Sequence, residues 1–244
     1  MLRNYFKLPK LAMALILPVW VFVSFFVAQA ITVGVFWLLA RLGGLTLSAI
    51  NPAILNTTVA AILYIVTLLL AIGLPWLVKK VRTSREDIGL TRLPSWTDIL
   101  MAPAGLIIYL ILSSVLIYVA TQLFPGFNVN QVQDTGFGNL HQSYEMLLAF
   151  ITLVVVAPVA EEILFRGYLY GKLKKHIPIW AAILITSLLF GFIHGAWNLA
   201  VDTFALSVML CLLRESTGSI WSSILLHMMK NGIAFYFLFI VHLN

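Results

Sequence analysis

The 244-residue chain is 61% hydrophobic and 10% charged, with a formal net charge of +6 and a mean hydropathy of +1.01. A soluble domain carries about 25% charged and about 45–50% apolar residues, so a water-facing globule, a disordered chain and a nucleic-acid-binding module are all excluded. The fold class that remains is an all-α, polytopic membrane helical bundle, in which a basic balance follows from Lys and Arg collecting in cytoplasmic loops.

After Arg3, Lys7 and Lys10 the first uncharged run covers residues 11–40. Its basic start and the Ala28-Gln29-Ala30 triplet imitate a secretory signal. The run is too long for one and stays apolar beyond the triplet, which predicts a retained transmembrane helix, bent near Pro18. Further helices are predicted within 57–78 and 99–124, from about 146 towards 170, from 179 to about 197, over about 203–213, and from about 219 towards 243. A break after Asn231-Gly232 would split the last segment, so the expectation is seven transmembrane helices, or eight.

The charges give this count an orientation. With the N-terminus in the cytoplasm, thirteen of the fifteen Lys and Arg fall on the cytoplasmic side; Arg41 falls outside and Lys230 lies within the last helix. The stretch 125–144 has no Lys or Arg and contains Gly, Asn and Gln, as an outer connector should. The basic loop 79–98 contains Ser84-Arg85-Glu86-Asp87 and reads as a cytoplasmic turn or short interfacial helix touching anionic lipid, with substrate docking as the alternative. The single cysteine, Cys211, excludes an internal disulfide and reads as a small core residue. The chain thus reads as one integral membrane domain over 1–244, with a catalytic helical core in 146–243.

Ionisable groups inside a membrane helix are costly, at least about 2.5–3.5 kcal/mol for Asp, Lys or Arg at the centre. Three such clusters occur. Glu161-Glu162-Ile163-Leu164-Phe165-Arg166 follows fifteen residues without a charge. Glu162 and Arg166 are four apart and share a helix face, so they can pair. Glu161 is rotated by about 100° from Glu162 and cannot share that partner well. The two carboxylates therefore have unequal environments, and Glu161 is free to hold a water or a metal, or to be protonated. The bland alternative is that the helix ends at Ala160 and both glutamates are wet. The second cluster is Phe190-Gly191-Phe192-Ile193-His194-Gly195-Ala196-Trp197-Asn198, with His194 and Asn198 four apart. The third is His227-Met228-Met229-Lys230-Asn231, with His227 and Asn231 on one face of the final run. Asp202 is placed near the start of the sixth helix, at the outer surface. By helical rise Glu161 lies about 15 Å deep and His227 about 12 Å, but His194 about 22 Å, so tilt or a sunken fifth helix is needed for them to meet. No Gly-x-Ser-x-Gly elbow, His-Glu-x-x-His zinc signature or Gly-x-Gly-Asp-type aspartate pair is present.

Glu-Glu-x-x-x-Arg, then Phe-x-x-x-His, then His-x-x-x-Asn, in this order on successive membrane helices, resembles the CPBP family of intramembrane proteases, of the type II CAAX endopeptidase kind. The family name refers to CAAX prenyl proteases and bacteriocin-processing or immunity proteins. The resemblance covers residues 157–231, and a Glu86-Asp87-Ile88-Gly89-Leu90 stretch of a kind common before the core adds to it. It implies that Glu161 activates the attacking water with help from His194. It implies that His227 and Asn231 stabilise the oxyanion, and that Glu162 and Arg166 orient Glu161 and brace the site. It implies zinc held by glutamates and histidines, or a glutamate-activated water without a metal; both stay open.

The expectation is an integral, multi-pass protein of a bacterial cell membrane that cleaves a peptide precursor or membrane-protein substrate. A non-proteolytic peptide-binding or bacteriocin-immunity protein is the alternative. A proton-coupled transporter is less well supported, since no inverted repeat is visible. No nucleic acid is expected as a partner, and the oligomeric state is unassigned.

Overall fold

The computed structural model describes residues 10–44, 46–129, 131, 135–138 and 140–241, and among these there are helices and connections but no β-strand. Arg3, Lys7 and His242 lie outside the described residues. The long helices are α1 (Lys10–Leu42), α2 (Pro52–Lys79), α3 (Trp96–Leu123), α4 (Ser143–Leu173), α5 (Ile179–Phe192), α6 (Trp197–Thr217) and α7 (Trp221–Ile240). Five of them, α1 to α4 and α7, are long and apolar enough to cross a membrane. The protein is an integral, multi-pass membrane protein, and apolar side chains such as Val33, Leu100 and Ile107 stand exposed on the outside of the bundle.

The starts of these helices are written in the sequence. Asn51 accepts from the Ala53 and Ile54 amides and Pro52 occupies the first turn, so α2 begins five residues before the expected bound at Thr57. Ser95 and Asp98 form a reciprocal capping box that starts α3. α1 stays helical through Pro18. α7 runs unbroken past Asn231-Gly232, so the expected split there does not occur.

The fifth and sixth segments depart further from expectation. α5 ends at Phe192 rather than near 197, and α6 begins at Trp197 rather than 203. Gly195 takes a positive φ of 78° in the tight connection, a conformation that a side chain would strain. His194-Gly195 marks this turn in the sequence, but the expected helix was carried through it by the apolar residues on either side. At fourteen residues α5 is about 21 Å long, short of a hydrocarbon core of about 30 Å.

α6 is the centre of the bundle and packs on α3, α5 and α7. Ala205, Leu206, Ser207, Leu210, Cys211 and Leu213 are buried along it. A helix covered by its neighbours need not be apolar throughout, which is how α6 carries Asp202, Arg214 and Glu215.

At the end of the bundle that bears most of the cations, Arg85–Ile88 forms a single helical turn capped by Ser84 and Asp87. It packs against α4 where Gly171 leaves room: a Cβ there would overlap the Asp87 carbonyl oxygen. Ile220 N donates to Gly89 O at 3.2 Å, Arg214 Nη2 to Glu86 O at 3.3 Å, and Lys175 pairs with Asp87. The loop expected to lie on lipid is thus folded onto the ends of α4, α6 and α7.

Candidate active site in the membrane helices

α4 continues as helix through Glu161 and Glu162 to Leu173, so the helix does not stop at Ala160. Two stretches of it, Ile151–Val156 and Ile163–Tyr170, are wound with the wider π turn, a form that recurs at functional sites. Glu162 and Arg166 are both fully buried. Arg166 Nη1 donates to Glu162 Oε1 at 2.8 Å, as the four-residue spacing predicts, and the guanidinium lies 4.3 Å from the centre of the Phe190 ring.

The same Glu162 oxygen holds His227, whose Nδ1 lies 2.9 Å away. A carboxylate paired with arginine only accepts hydrogen bonds, so Nδ1 is the donor. The other ring nitrogen, Nε2, therefore faces Glu161 Oε2 across 3.8 Å, beyond direct hydrogen-bond range. Glu162, itself held by Arg166, thus contacts and orients His227; Glu161 has a different partner. Its Oε1 accepts from the Tyr64 hydroxyl of α2 at 2.6 Å.

His194 lies in the turn after α5, not on a helix shared with Asn198. Its Nδ1 is 2.7 Å from the Phe190 carbonyl oxygen, a contact that requires an N–H on Nδ1 and leaves Nε2 open. The ring thereby folds back by one turn towards the N-terminus of α5. The His194 and His227 ring centres lie 4.8 and 6.0 Å from that of Phe190, so one aromatic ring borders both histidines and Arg166. Asn198 is on α6 and donates to the carbonyls of Val129 and Gln131, away from this group.

Asn231, one turn beyond His227, donates from Nδ2 to the Leu153 carbonyl in the first wide turn of α4 at 2.9 Å. A side-chain amide carries two N–H donors, so one remains. Asp202 is half-buried near the start of α6: its Oδ1 accepts from Tyr109 and Ser113 of α3, each at 2.6 Å, and Oδ2 stands 3.6 Å from Lys230 Nζ. The cation inside the last helix thus has this acid as its partner. Neither this pair nor Tyr64 was singled out from sequence. A tyrosine midway along an apolar run was the available signal, since membrane tyrosines favour the interfaces and a buried hydroxyl seeks an acceptor.

Among the described residues no group of three or more His, Cys, Asp and Glu is arranged to hold a metal ion. Glu162 Oε1 is engaged by Arg166 and His227, His227 Nδ1 is committed to Glu162, and Glu161 Oε1 is committed to Tyr64. These bonds leave Glu161 Oε2 and the Nε2 atoms of His194 and His227 as the donors that a cation would have to use.

Comparison with known proteins places this geometry in context. A Bacillus subtilis (strain 168) protein named "Putative membrane peptidase YdiL" is 32% identical over 84 residues, 34% of each chain. An Escherichia coli protein named "Uncharacterized 24.3 kDa protein" is 30% identical over 98 residues, 38% of this chain and 45% of the relative. The matches thus span less than half the length of these curated relatives. No solved structure matches the chain. Residues 143–233, which hold Glu161, Glu162, Arg166, His194, His227 and Asn231, match the family described as Type II CAAX prenyl endopeptidase Rce1-like, and so bear out the resemblance that their motifs carry.

Proposed function

We propose that this protein is an intramembrane endopeptidase that hydrolyses a peptide bond with a water activated at Glu161. The observation that carries this reading is the convergence of Glu161, the Glu162–Arg166 pair and His227 between α4 and α7, inside the segment that matches the endopeptidase family. Glu161 Oε2 takes a proton from water as its oxygen bonds to the scissile carbonyl carbon. His194 Nε2 helps to hold that water. The carbonyl oxygen gains the negative charge and is met by the spare N–H of Asn231 and by His227 Nε2 when that atom carries a proton. Glu161 then passes its proton to the departing amine as the C–N bond breaks. Glu162 fixes His227 through Nδ1, and Arg166 holds Glu162 in place. No step in this sequence needs a metal.

The substrate is a peptide precursor, a membrane-protein tail or a prenylated C-terminus, reached from the lipid bilayer. The chain works as one membrane unit with seven transmembrane helices and a cytoplasmic N-terminus; α5 and α6 complete the count begun by the five long apolar helices. Its bacterial relatives support a bacterial cell membrane as the location.

The test is reconstitution of the full chain in liposomes with a quenched fluorescent peptide bearing a prenylated cysteine near its C-terminus, beside a comparison of peptides released from membranes. Glu161→Gln and His194→Ala should each lower cleavage by at least about 100-fold, the scale of a lost general base. Undiminished cleavage in both variants would sink the proposal. Cleavage that survives a chelator supports the metal-free route; its loss, with restoration by zinc, would overturn that part.

A further inference from the structure

We infer that Tyr64 is a positioning residue of this site: its hydroxyl holds Glu161 so that Oε2, rather than Oε1, is turned towards His227 and the reacting water. The inference rests on the reading of Glu161 as the base.

Tyr64 belongs to α2, outside the segment that matches the family. Side-chain hydrogen bonds at three successive levels tie α2 and its cap to α4. Asn51 donates to Glu145, Thr152 to Thr57 at 3.1 Å, and Tyr64 to Glu161 at 2.6 Å. The sequence separations of the three pairs are 94, 95 and 97. The separation grows as α4 passes through its wide turn at Ile151–Val156, where more residues are used per turn. The ladder ends at Glu161, so this carboxylate, rather than Ala160 or Glu162, stands opposite the phenol.

The contact has chemical consequences. A short bond from a neutral hydroxyl to a carboxylate is among the stronger hydrogen bonds, and more so where water is scarce. It occupies Oε1, leaving Oε2 as the oxygen that faces His227 Nε2. It also fixes a side chain that lacks the ion pair given to Glu162. Without it, Glu161 would be free to rotate about its terminal bond and present either oxygen. A phenylalanine at 64 would keep the ring's packing and remove that constraint.

The test uses the full chain in liposomes with carbon-13-labelled glutamate. The infrared carboxylate band of Glu161 is the one that disappears in Glu161→Gln. In Tyr64→Phe this band should shift, and kcat on the quenched prenyl-cysteine peptide should fall by at least about tenfold with KM within about twofold, as expected for loss of a hydrogen bond to a charged group. Ile65→Ala, which alters the exposed neighbour, should leave both unchanged. A 3-fluorotyrosine at position 64 keeps the shape and strengthens the donor, so it should move the band in the opposite direction even if Tyr64→Phe folds poorly. An unmoved Glu161 band in Tyr64→Phe, beside an inactive Glu161→Gln, would overturn the inference alone. A shifted band beside fully active Glu161→Gln would overturn the assignment of Glu161, and with it the catalytic meaning of the contact.

Discussion

Glu161 and Glu162 are adjacent in sequence, face opposite ring nitrogens of His227 and are otherwise held by different partners. Glu162 is sealed from solvent between Arg166 and His227, whereas Glu161 keeps some exposure and bonds to a phenol from another helix. Removing one partner of a buried ion pair leaves a desolvated charge, at a cost of about 3–5 kcal/mol. Arg166→Met should therefore lower stability by that order, read as a shifted unfolding midpoint in detergent, and adding Glu162→Gln should recover part of it. An Arg166→Met protein as stable as the parent would contradict the pairing. The Glu162–Arg166 contact was legible because its residues lie four apart on one helix, where geometry is local. The bond from Tyr64 to Glu161 was not, because it joins residues 97 apart and depends on how two helices lie side by side.

At the scale of elements, the capped turn Arg85–Ile88 and the α5–α6 connection decide how the site is held. Gly171→Ala places a methyl group against the Asp87 carbonyl, a backbone atom that cannot swing aside. Overpacking of this kind costs about 1–3 kcal/mol, and the expected result is faster proteolysis within the 79–95 loop. The same turn should respond to acid. Burial raises the Asp87 carboxyl, but the Lys175 ammonium and the Ser84 amide outweigh it and hold it below the usual carboxylate range. A depressed acid contributes stability that is present above its unfolded value of about 3.9 and lost as pH falls through the folded value. Protease sensitivity of the loop should thus stay flat at neutral pH and rise below about pH 4; a rise centred near neutrality would point to another group. The Ser-x-x-Asp caps at 84–87 and 95–98 were readable as local signals. The end of α5 was marked only by His194-Gly195, with apolar residues on either side and the glycine in the left-handed region.

For the whole molecule, the orientation can be measured with the cysteine chemistry that the chain provides. Cys211 is fully buried and should not react with a membrane-impermeant thiol reagent. Thr83→Cys should then label only from the cytoplasmic side and Gly126→Cys only from the outside. The reverse pattern would invert the proposed topology. Composition and the order of the motifs determined, by themselves, that this chain is a helical membrane protein and which family its last third resembles. Those conclusions rest on burial cost and charge placement, which are properties of segments. The tertiary structure alone decided that Glu162 holds His227 rather than Glu161, that Asp202 meets Lys230, and that Tyr64 reaches Glu161. In a bilayer the helices gain little from burying apolar surface against one another, so their register follows from close packing and a few hydrogen bonds. Those contacts join residues far apart in the chain, where periodicity and spacing carry no information.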